Sequence, residues 1–158
     1  MSDTPPRAPP SGLEQLRAMI AAGRRAGIAQ SLDFALVEVE PGRAVFEGQP
    51  GMHAYNPIGM VHGGYAATLL DSACGCAVHA SLSPAQSYTT LELKVAYHKA
   101  ITTTTGRVRA LGTVVSLGRR VAFAEARLTD AAGTLYASAT STLLILERPV
   151  VGLASGSG

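Results

Sequence analysis

Several residues between positions 56 and 71 have types and spacing that suit the binding of a developing negative charge: Asn56, His62, Gly63, Gly64 and Asp71. The first turn of a helix carries free N–H groups and the positive end of the helix dipole. Glycine lets a ligand oxygen approach that backbone closely, because it has no Cβ. A carboxylate such as Asp71 acts as a base or a nucleophile. The stretch therefore combines a hydrogen-bond donor for an oxyanion with a carboxylate that either attacks directly or activates a water molecule.

The apolar run after the two glycines predicts a helix over about 61–80, rich in Gly, Ala, Ser, Thr and Cys. Eight helical residues span about 12 Å, so Gly63 and Asp71 of one chain cannot contact the same small group. The geometry closes if a second copy supplies an antiparallel helix. Structural explanations stay open beside this one: the glycines form only a tight turn, His62 caps that turn, and Asp71 lies on the solvent side.

The rest of the chain predicts one helix and about six strands. Residues 13–26 have the apolar spacing of a short amphipathic helix, and runs over about 32–40 and 43–49 flank a Pro-Gly turn and predict a hairpin. Four strands are expected after Pro84, the second of which includes the threonines at 102–105. Such a layout favours an α+β fold, with the long helix packed on an antiparallel sheet.

Alternation along the first of these four strands assigns its side chains to two faces. The predicted apolar face carries Leu91, Leu93, Val95 and Tyr97, and the opposite face carries Thr90, Glu92 and Lys94.

Composition excludes several classes of protein. The 158 residues have a formal net charge of +2 and no basic stripe, so no nucleic acid partner is expected. No apolar run approaches the roughly 20 residues that cross a bilayer, and the first residues do not resemble a signal peptide. We expect a cytoplasmic protein with one domain over 13–147, a disordered segment over 1–12 and a flexible tail over 148–158. Cys74 and Cys76 point to different helix faces, which predicts core residues without a disulfide or metal.

Three segments together resemble a known family. They are "NPIGMVHGGYAATLLDSACGCA" from residue 56, "TTLELKVAYHKA" from residue 89 and "LGRRVAFAEARLTDAAGTLYASATSTLLIL" from residue 117. The chain is similar, over about residues 30–146, to the hotdog-fold acyl-CoA thioesterases of the phenylacetate-degradation type. The resemblance implies a long central helix wrapped by a curved antiparallel sheet. It also implies a homodimer, assembling further into a tetramer, with Gly63 of one chain facing Asp71 of the other.

The resemblance also implies roles for further residues. Asn56 and His62 correspond to residues that position the carbonyl or water and brace the loop, and Thr90 falls where a hydroxyl lies near the attacking water. Coenzyme A is part of the substrate, and no separate cofactor is expected. Its phosphates are expected near the turn that contains Ser116, Leu117, Gly118, Arg119 and Arg120, aided by free N–H groups around Gly118. Solvation of both arginines is the alternative.

Two other functions compete with hydrolysis of an acyl-CoA thioester. Hotdog hydratases and dehydratases use a histidine and an acid as a proton-transfer pair, for which His62 and Asp71 are the candidates. A non-catalytic hotdog protein that binds acyl-CoA is the third class. Asn56, Gly63 and Asp71 together favour the hydrolase, and the sequence does not identify the acyl group.

Overall fold

A computed structural model describes residues 7–148 and contains three α-helices and six strands within that range. The elements are, in chain order, α1 (Gly12–Ala21), α2 (Gly27–Leu32), β1 (Phe34–Glu40), β2 (Arg43–Gly48), α3 (Gly63–His79), β3 (Gln86–Tyr97), β4 (Val108–Leu117), β5 (Val121–Asp130) and β6 (Leu135–Glu147). Two short 3₁₀ helices lie at Met52–Ala54 and Thr103–Thr105.

The six strands form one antiparallel sheet in the order β1-β2-β4-β5-β6-β3, which leaves β1 and β3 at its edges. Helix α3 packs on the sheet and buries its apolar face, including Leu69, Leu70 and Cys74. Gly112 of β4 lets the sheet approach closely, because a Cβ there would lie 2.2 Å from the Ala73 carbonyl oxygen. This long helix held by a curved sheet confirms the predicted hotdog fold.

The N-terminal region differs from its prediction. One helix was expected over 13–26, whereas α1 ends at Ala21 and a second helix, α2, follows. Gly23 has φ +62°, a left-handed conformation that glycine adopts without strain and that turns the chain between the helices. Asp33, with φ 55°, ends α2, so β1 begins at Phe34 rather than 32.

The threonine run was wrongly predicted as strand. Thr103–Thr105 is a 3₁₀ helix in which the Thr105 hydroxyl accepts a hydrogen bond from the Thr102 N–H at 3.0 Å. Threonine hydroxyls that bond to nearby backbone compete with sheet pairing, so β4 begins only at Val108.

A β-bulge in β3 corrects the predicted faces of that strand. Thr90 pairs with Leu143 and Glu92 pairs with Thr142, so Leu91 is an extra residue without a partner on β6. Leu91 is 57% exposed. The bulge brings Thr90 onto the side that faces α3, whereas plain alternation had placed it on the opposite side.

The predicted domain limits stay predictions. Half of the segment over 1–12 and all of the tail over 148–158 except Arg148 lie outside the described residues. None of the helices within residues 7–148 has the length and apolar character required to cross a bilayer.

Candidate functional site

The first turn of α3 is fixed by hydrogen bonds to almost every polar backbone atom of its two glycines. His62 is the N-cap residue, and its Nδ1 accepts a hydrogen bond from the Gly64 N–H at 2.8 Å. The Thr68 hydroxyl donates to the Gly64 carbonyl at 2.7 Å, and the Tyr97 hydroxyl donates to the Gly63 carbonyl at 2.8 Å. The Gly63 N–H has no acceptor among the described residues.

This arrangement separates two functions that the sequence left open. His62 caps the helix, and it engages the N–H of Gly64. Gly63 keeps its N–H available at the positive end of a 17-residue helix. An N–H in that position suits an oxygen that gains negative charge during a reaction. The predicted pair therefore reduces to one available donor, Gly63, with Gly64 satisfied internally.

Asp71 lies two turns further along α3 and is partly buried. The Thr90 hydroxyl donates to its Oδ1 at 3.1 Å. The other carboxylate oxygen, Oδ2, has no hydrogen-bond partner within residues 7–148. The structure therefore brings together Asp71 and Thr90, which the sequence placed in one site, and it leaves one carboxylate oxygen able to accept a proton or attack.

A tyrosine from β3 lies on α3 one turn beyond Asp71. A Cβ at Gly75 would lie 2.6 Å from the Tyr88 hydroxyl oxygen, so this ring occupies the space of an absent side chain. Burial raises the pKa of Tyr88, and nearby Cys76 and Asp71 raise it further. Burial, aided by Asp71, also raises the pKa of Cys76 to about 12. Both groups are therefore neutral at ordinary pH, and Cys76 is no thiolate nucleophile.

Asn56 braces the loop that leads into α3. Its Oδ1 accepts hydrogen bonds from the Ile58 N–H at 3.1 Å and the Met60 N–H at 3.2 Å. A cavity of about 360 Å³ is lined by Asn56, His62, Gly63 and Tyr97 together with neighbours in the two loops. Two other predicted site residues, Asn56 and His62, therefore line the same cavity as Gly63.

The predicted phosphate-binding turn between β4 and β5 is open and exposed. Its members Ser116, Leu117, Gly118, Arg119 and Arg120 are all exposed. The expected free N–H at Gly118 is wrong, because it donates to the Val121 carbonyl at 2.9 Å in the hairpin turn. Neither arginine side chain bonds to another of the described residues, and both border an open groove of about 440 Å³ along the end of β6.

This turn lies far from Gly63 of the same chain. Strand β6 contacts both regions: its Ile145 N–H donates to the Arg120 carbonyl, and its Ala137 pairs with Tyr97. Ile145 and Ala137 are eight residues apart on β6, which corresponds to about 26 Å. Within one chain the arginines therefore belong to the end of the sheet where Tyr88 lies, opposite Ile145.

Sequence reasoning missed Tyr97 and Tyr88 as site residues. Each tyrosine contacts a glycine of α3 because the sheet curves over the helix. Strand alternation predicts only which face of the sheet a side chain lies on, not which helix residue it contacts. Tyr97 was placed on the apolar face, and it does face the helix, but it is 56% exposed at the end of an edge strand.

The other three histidines form hydrogen bonds within the fold, and the two cysteines lie on α3. His53, His79 and His98 bond to the Leu32 carbonyl, the Gln15 side chain and the Ser138 hydroxyl, respectively. Cys74 and Cys76 are free thiols on α3. Within residues 7–148 no three side chains of His, Cys, Asp or Glu converge in a way that holds a metal ion.

Comparison with known proteins gives consistent matches. The family model described as "Thioesterase superfamily" matches residues 58–137. A 1,4-dihydroxy-2-naphthoyl-CoA hydrolase from Listeria monocytogenes is 25% identical over 122 residues, which cover 77% of this chain and 98% of that protein.

Solved structures with the same fold include the following two. A thioesterase family protein from Silicibacter pomeroyi superposes with a TM-score of 0.76 at 24% identity, over 87% of this chain and 99% of that one. A mutant of the phenylacetic acid degradation protein PaaI from Thermus thermophilus superposes with a TM-score of 0.69 at 26% identity, over 75% and 98% of the two chains.

Proposed function

The chain belongs to the thioesterase superfamily and is a thioester hydrolase, and we propose that it cleaves an acyl-CoA to the free acid and coenzyme A in a site shared by two copies of itself. The observation that carries the proposal is the Gly63 N–H, the one polar backbone group of the two-glycine turn without an acceptor within residues 7–148. The Listeria relative is named as a hydrolase of an acyl-CoA, which supports coenzyme A as the thiol carrier.

In the proposed reaction the Gly63 N–H donates to the thioester carbonyl oxygen and stabilises the oxyanion. Asp71 acts at the carbonyl carbon in one of two ways. It takes a proton from water, whose oxygen then attacks, or it attacks directly and forms an anhydride that water opens. Either way the C–S bond breaks, the sulfur leaves as the thiol of coenzyme A, and one water molecule is consumed. Thr90 holds the Asp71 carboxylate in place and lies near the attacking water.

Two observations support a site shared between two chains. Gly63 and Asp71 are about 12 Å apart along one helix, which is eight residues at 1.5 Å each. The second observation is the free edge of β3. Within the described residues this 12-residue strand pairs only with β6. A long edge strand with unpaired backbone groups is a template for a second chain. Antiparallel pairing of two β3 edges would set Gly63 of one chain opposite Asp71 of the other. Further assembly into a tetramer remains a proposal.

Asn56 and His62 have supporting roles in this proposal. The Asn56 side chain braces the loop through Oδ1, and its NH₂ group has no partner among the described residues, so it is available to position the carbonyl or water. His62 holds the turn that presents Gly63. Its Nδ1 is already bonded to the Gly64 N–H, and it lies nine residues from Asp71 on one helix. That arrangement does not favour the His–acid pair of a hydratase.

Coenzyme A phosphates are proposed to contact Arg119 and Arg120. Their guanidinium groups are exposed and lack partners among the described residues. Their position far from Gly63 but near the Tyr88 end of the site fits a coenzyme that runs along the interface between two chains. Gly118 does not contribute an N–H to this role.

The test is a complementation experiment between two inactive chains. One carries Asp71→Asn and the other Gly63→Pro, which removes the backbone donor. In the heterodimer one site has both Gly63 and Asp71, so mixed and exchanged subunits should release coenzyme A at up to about half of the wild-type rate per dimer. Gly63→Ala is the matched control. It adds the same contact with the Tyr97 ring, 3.0 Å from the new Cβ, but keeps the N–H.

Three outcomes would contradict the proposal. Heterodimers shown by mass spectrometry without recovered activity would exclude a site shared between Gly63 and Asp71. A Gly63→Ala chain as inactive as Gly63→Pro would assign the loss to crowding at Tyr97 rather than to the lost N–H. Wild-type chain that releases no coenzyme A from any acyl-CoA would exclude the function itself.

A further inference from the structure

A cavity of about 310 Å³ lies between α3 and the two N-terminal helices. Its lining is largely apolar and comes from α1, α2, the first two strands, α3 and Tyr88 of β3. An engineered apolar cavity of about 150 Å³ binds benzene, so this cavity has about twice the volume that one such ring requires. Its size and apolar lining suit one aromatic ring system or a medium-length alkyl chain.

Along α3 the cavity extends from Ser72, the residue after Asp71, to His79. Ser72 and Cys76 of α3 line it, and so does Tyr88, whose ring lies on Gly75. Tyr88 and Thr90 share the side of β3 that faces the helix, and the Thr90 hydroxyl bonds to Asp71. Tyr88 therefore adjoins both the Asp71 carboxylate and the cavity.

Charges lie at the rim of the cavity rather than within it. Arg24 and Arg25 border it, and Arg25 pairs with Asp33 at 3.0 Å. His79 also borders the cavity, and burial lowers its pKa, so the imidazole is neutral at pH 7. An uncharged acyl group is the chemistry that this lining favours.

We infer that this cavity is the acyl subsite, that it takes an uncharged aromatic or medium-chain acyl group, and that Tyr88 and the roof formed by α1 and α2 determine its specificity. This inference rests on the proposed function. The thioester carbonyl lies at Asp71, and the acyl group follows α3 past Tyr88 beneath Ala29 and Ile28 of α2. An acetyl group leaves the cavity unfilled.

The experiment compares the kcat/KM of benzoyl-CoA with that of acetyl-CoA, using the full chain. We expect wild type to favour benzoyl-CoA by at least about a hundredfold, because a single misfitted methylene in an apolar pocket already changes kcat/KM by about 10- to 200-fold. Ala29→Leu fills part of the cavity from its buried position, 4% exposed. This variant should lower the ratio of the two kcat/KM values at least tenfold. Ala21→Leu makes the same change at an exposed position of α1 outside the cavity and should leave the ratio unchanged.

Two further measurements test the inference if Ala29→Leu does not fold or if no substrate is hydrolysed. Ile28→Ala removes part of the roof at a residue that is 55% exposed, so it should fold, and it should lower the same ratio. Calorimetric titration of the Asp71→Asn chain with both acyl-CoAs measures the preference without hydrolysis, and adding Ala29→Leu should abolish that preference.

The failures of the two proposals are distinguishable. In one outcome, wild type hydrolyses both substrates, and the folded variants Ala29→Leu and Ile28→Ala do not change the ratio of the two kcat/KM values. This result would overturn the acyl subsite but not the proposed hydrolase activity. Absence of hydrolysis with a benzoyl preference that Ala29→Leu removes supports the subsite and overturns the reaction. Equal binding of benzoyl-CoA and acetyl-CoA overturns the subsite in every case.

Discussion

The first turn of α3 and the turn between β4 and β5 were both predicted to bind parts of one substrate, and they are built in opposite ways. Around Gly63, three side chains from α3, its N-cap and β3 fix the backbone at 2.7 to 2.8 Å and leave one N–H available. Around Gly118 the backbone satisfies itself, and the two arginines extend into solvent. A fixed donor suits charge that develops at one atom, whereas exposed charges without partners suit a polyanion that needs attraction more than orientation.

The largest expected effect lies at the rigid end. Asp71→Asn should lower kcat by about a hundredfold or more, because a positioned acid or base contributes that much to catalysis. The Thr90 hydroxyl can still donate to the amide oxygen, so the fold should persist. Release of coenzyme A at saturating acyl-CoA, with circular dichroism as the control, checks this. Turnover within a few-fold of wild type would make Asp71 structural.

Removing one support of the turn should have an intermediate effect. Tyr97→Phe keeps the ring on Gly63 and deletes the 2.8 Å hydrogen bond to its carbonyl. We expect kcat to fall about fivefold to tenfold with KM nearly constant, since such a bond contributes roughly 1 kcal/mol. Tyr136→Phe is the matched control, because that hydroxyl bonds to Asp130 at the turn between β5 and β6 and not to the backbone of α3. An equal loss in both variants, or a change in KM alone, would argue against rigidity at Gly63.

Substitutions in the exposed turn between β4 and β5 should have a weaker effect, and they should change KM rather than kcat. Arg119→Ala combined with Arg120→Ala should raise KM about three- to tenfold at low salt, leave kcat unchanged and lose this effect near 1 M salt, where charges are screened within about 3 Å. Arg17→Ala with Arg127→Ala removes the same charge at other exposed positions and serves as control. A fall in kcat, or equal effects in both double variants, would contradict the proposal that the turn between β4 and β5 acts only by attracting the substrate.

The smallest effect is expected where only the cap changes. His62→Asn retains an N-cap acceptor for the Gly64 N–H, so urea unfolding should detect little change. His62→Ala should lower the free energy of unfolding by about 1 kcal/mol. If His62→Asn folds normally but loses kcat more than twofold, the imidazole does more than cap the helix.

Local pattern predicted much of this architecture, and the errors share a physical origin. Six strands, the long helix and the partnership of Asp71 with Thr90 followed from periodicity and from resemblance. Thr90 was nevertheless assigned to the wrong face, because Leu91 forms a bulge that no alternation pattern reveals. The break after Ala21 depends on a left-handed glycine, and Tyr97 meets Gly63 across 34 residues of chain. Contacts that depend on sheet curvature are invisible in a single sequence.

The tyrosines that lie on glycines of α3 have a consequence for how this protein can change over generations. A side chain at position 63 would approach the Tyr97 ring to 3.0 Å, and one at position 75 would approach the Tyr88 hydroxyl to 2.6 Å. Tyr97 is half exposed and can move to admit a small side chain at position 63, whereas Tyr88 lies closer to its glycine and is partly buried. Among relatives Gly75 and Tyr88 should therefore covary: a larger residue on the helix should accompany a smaller one on the strand, and mutational paths through one change alone should be rare.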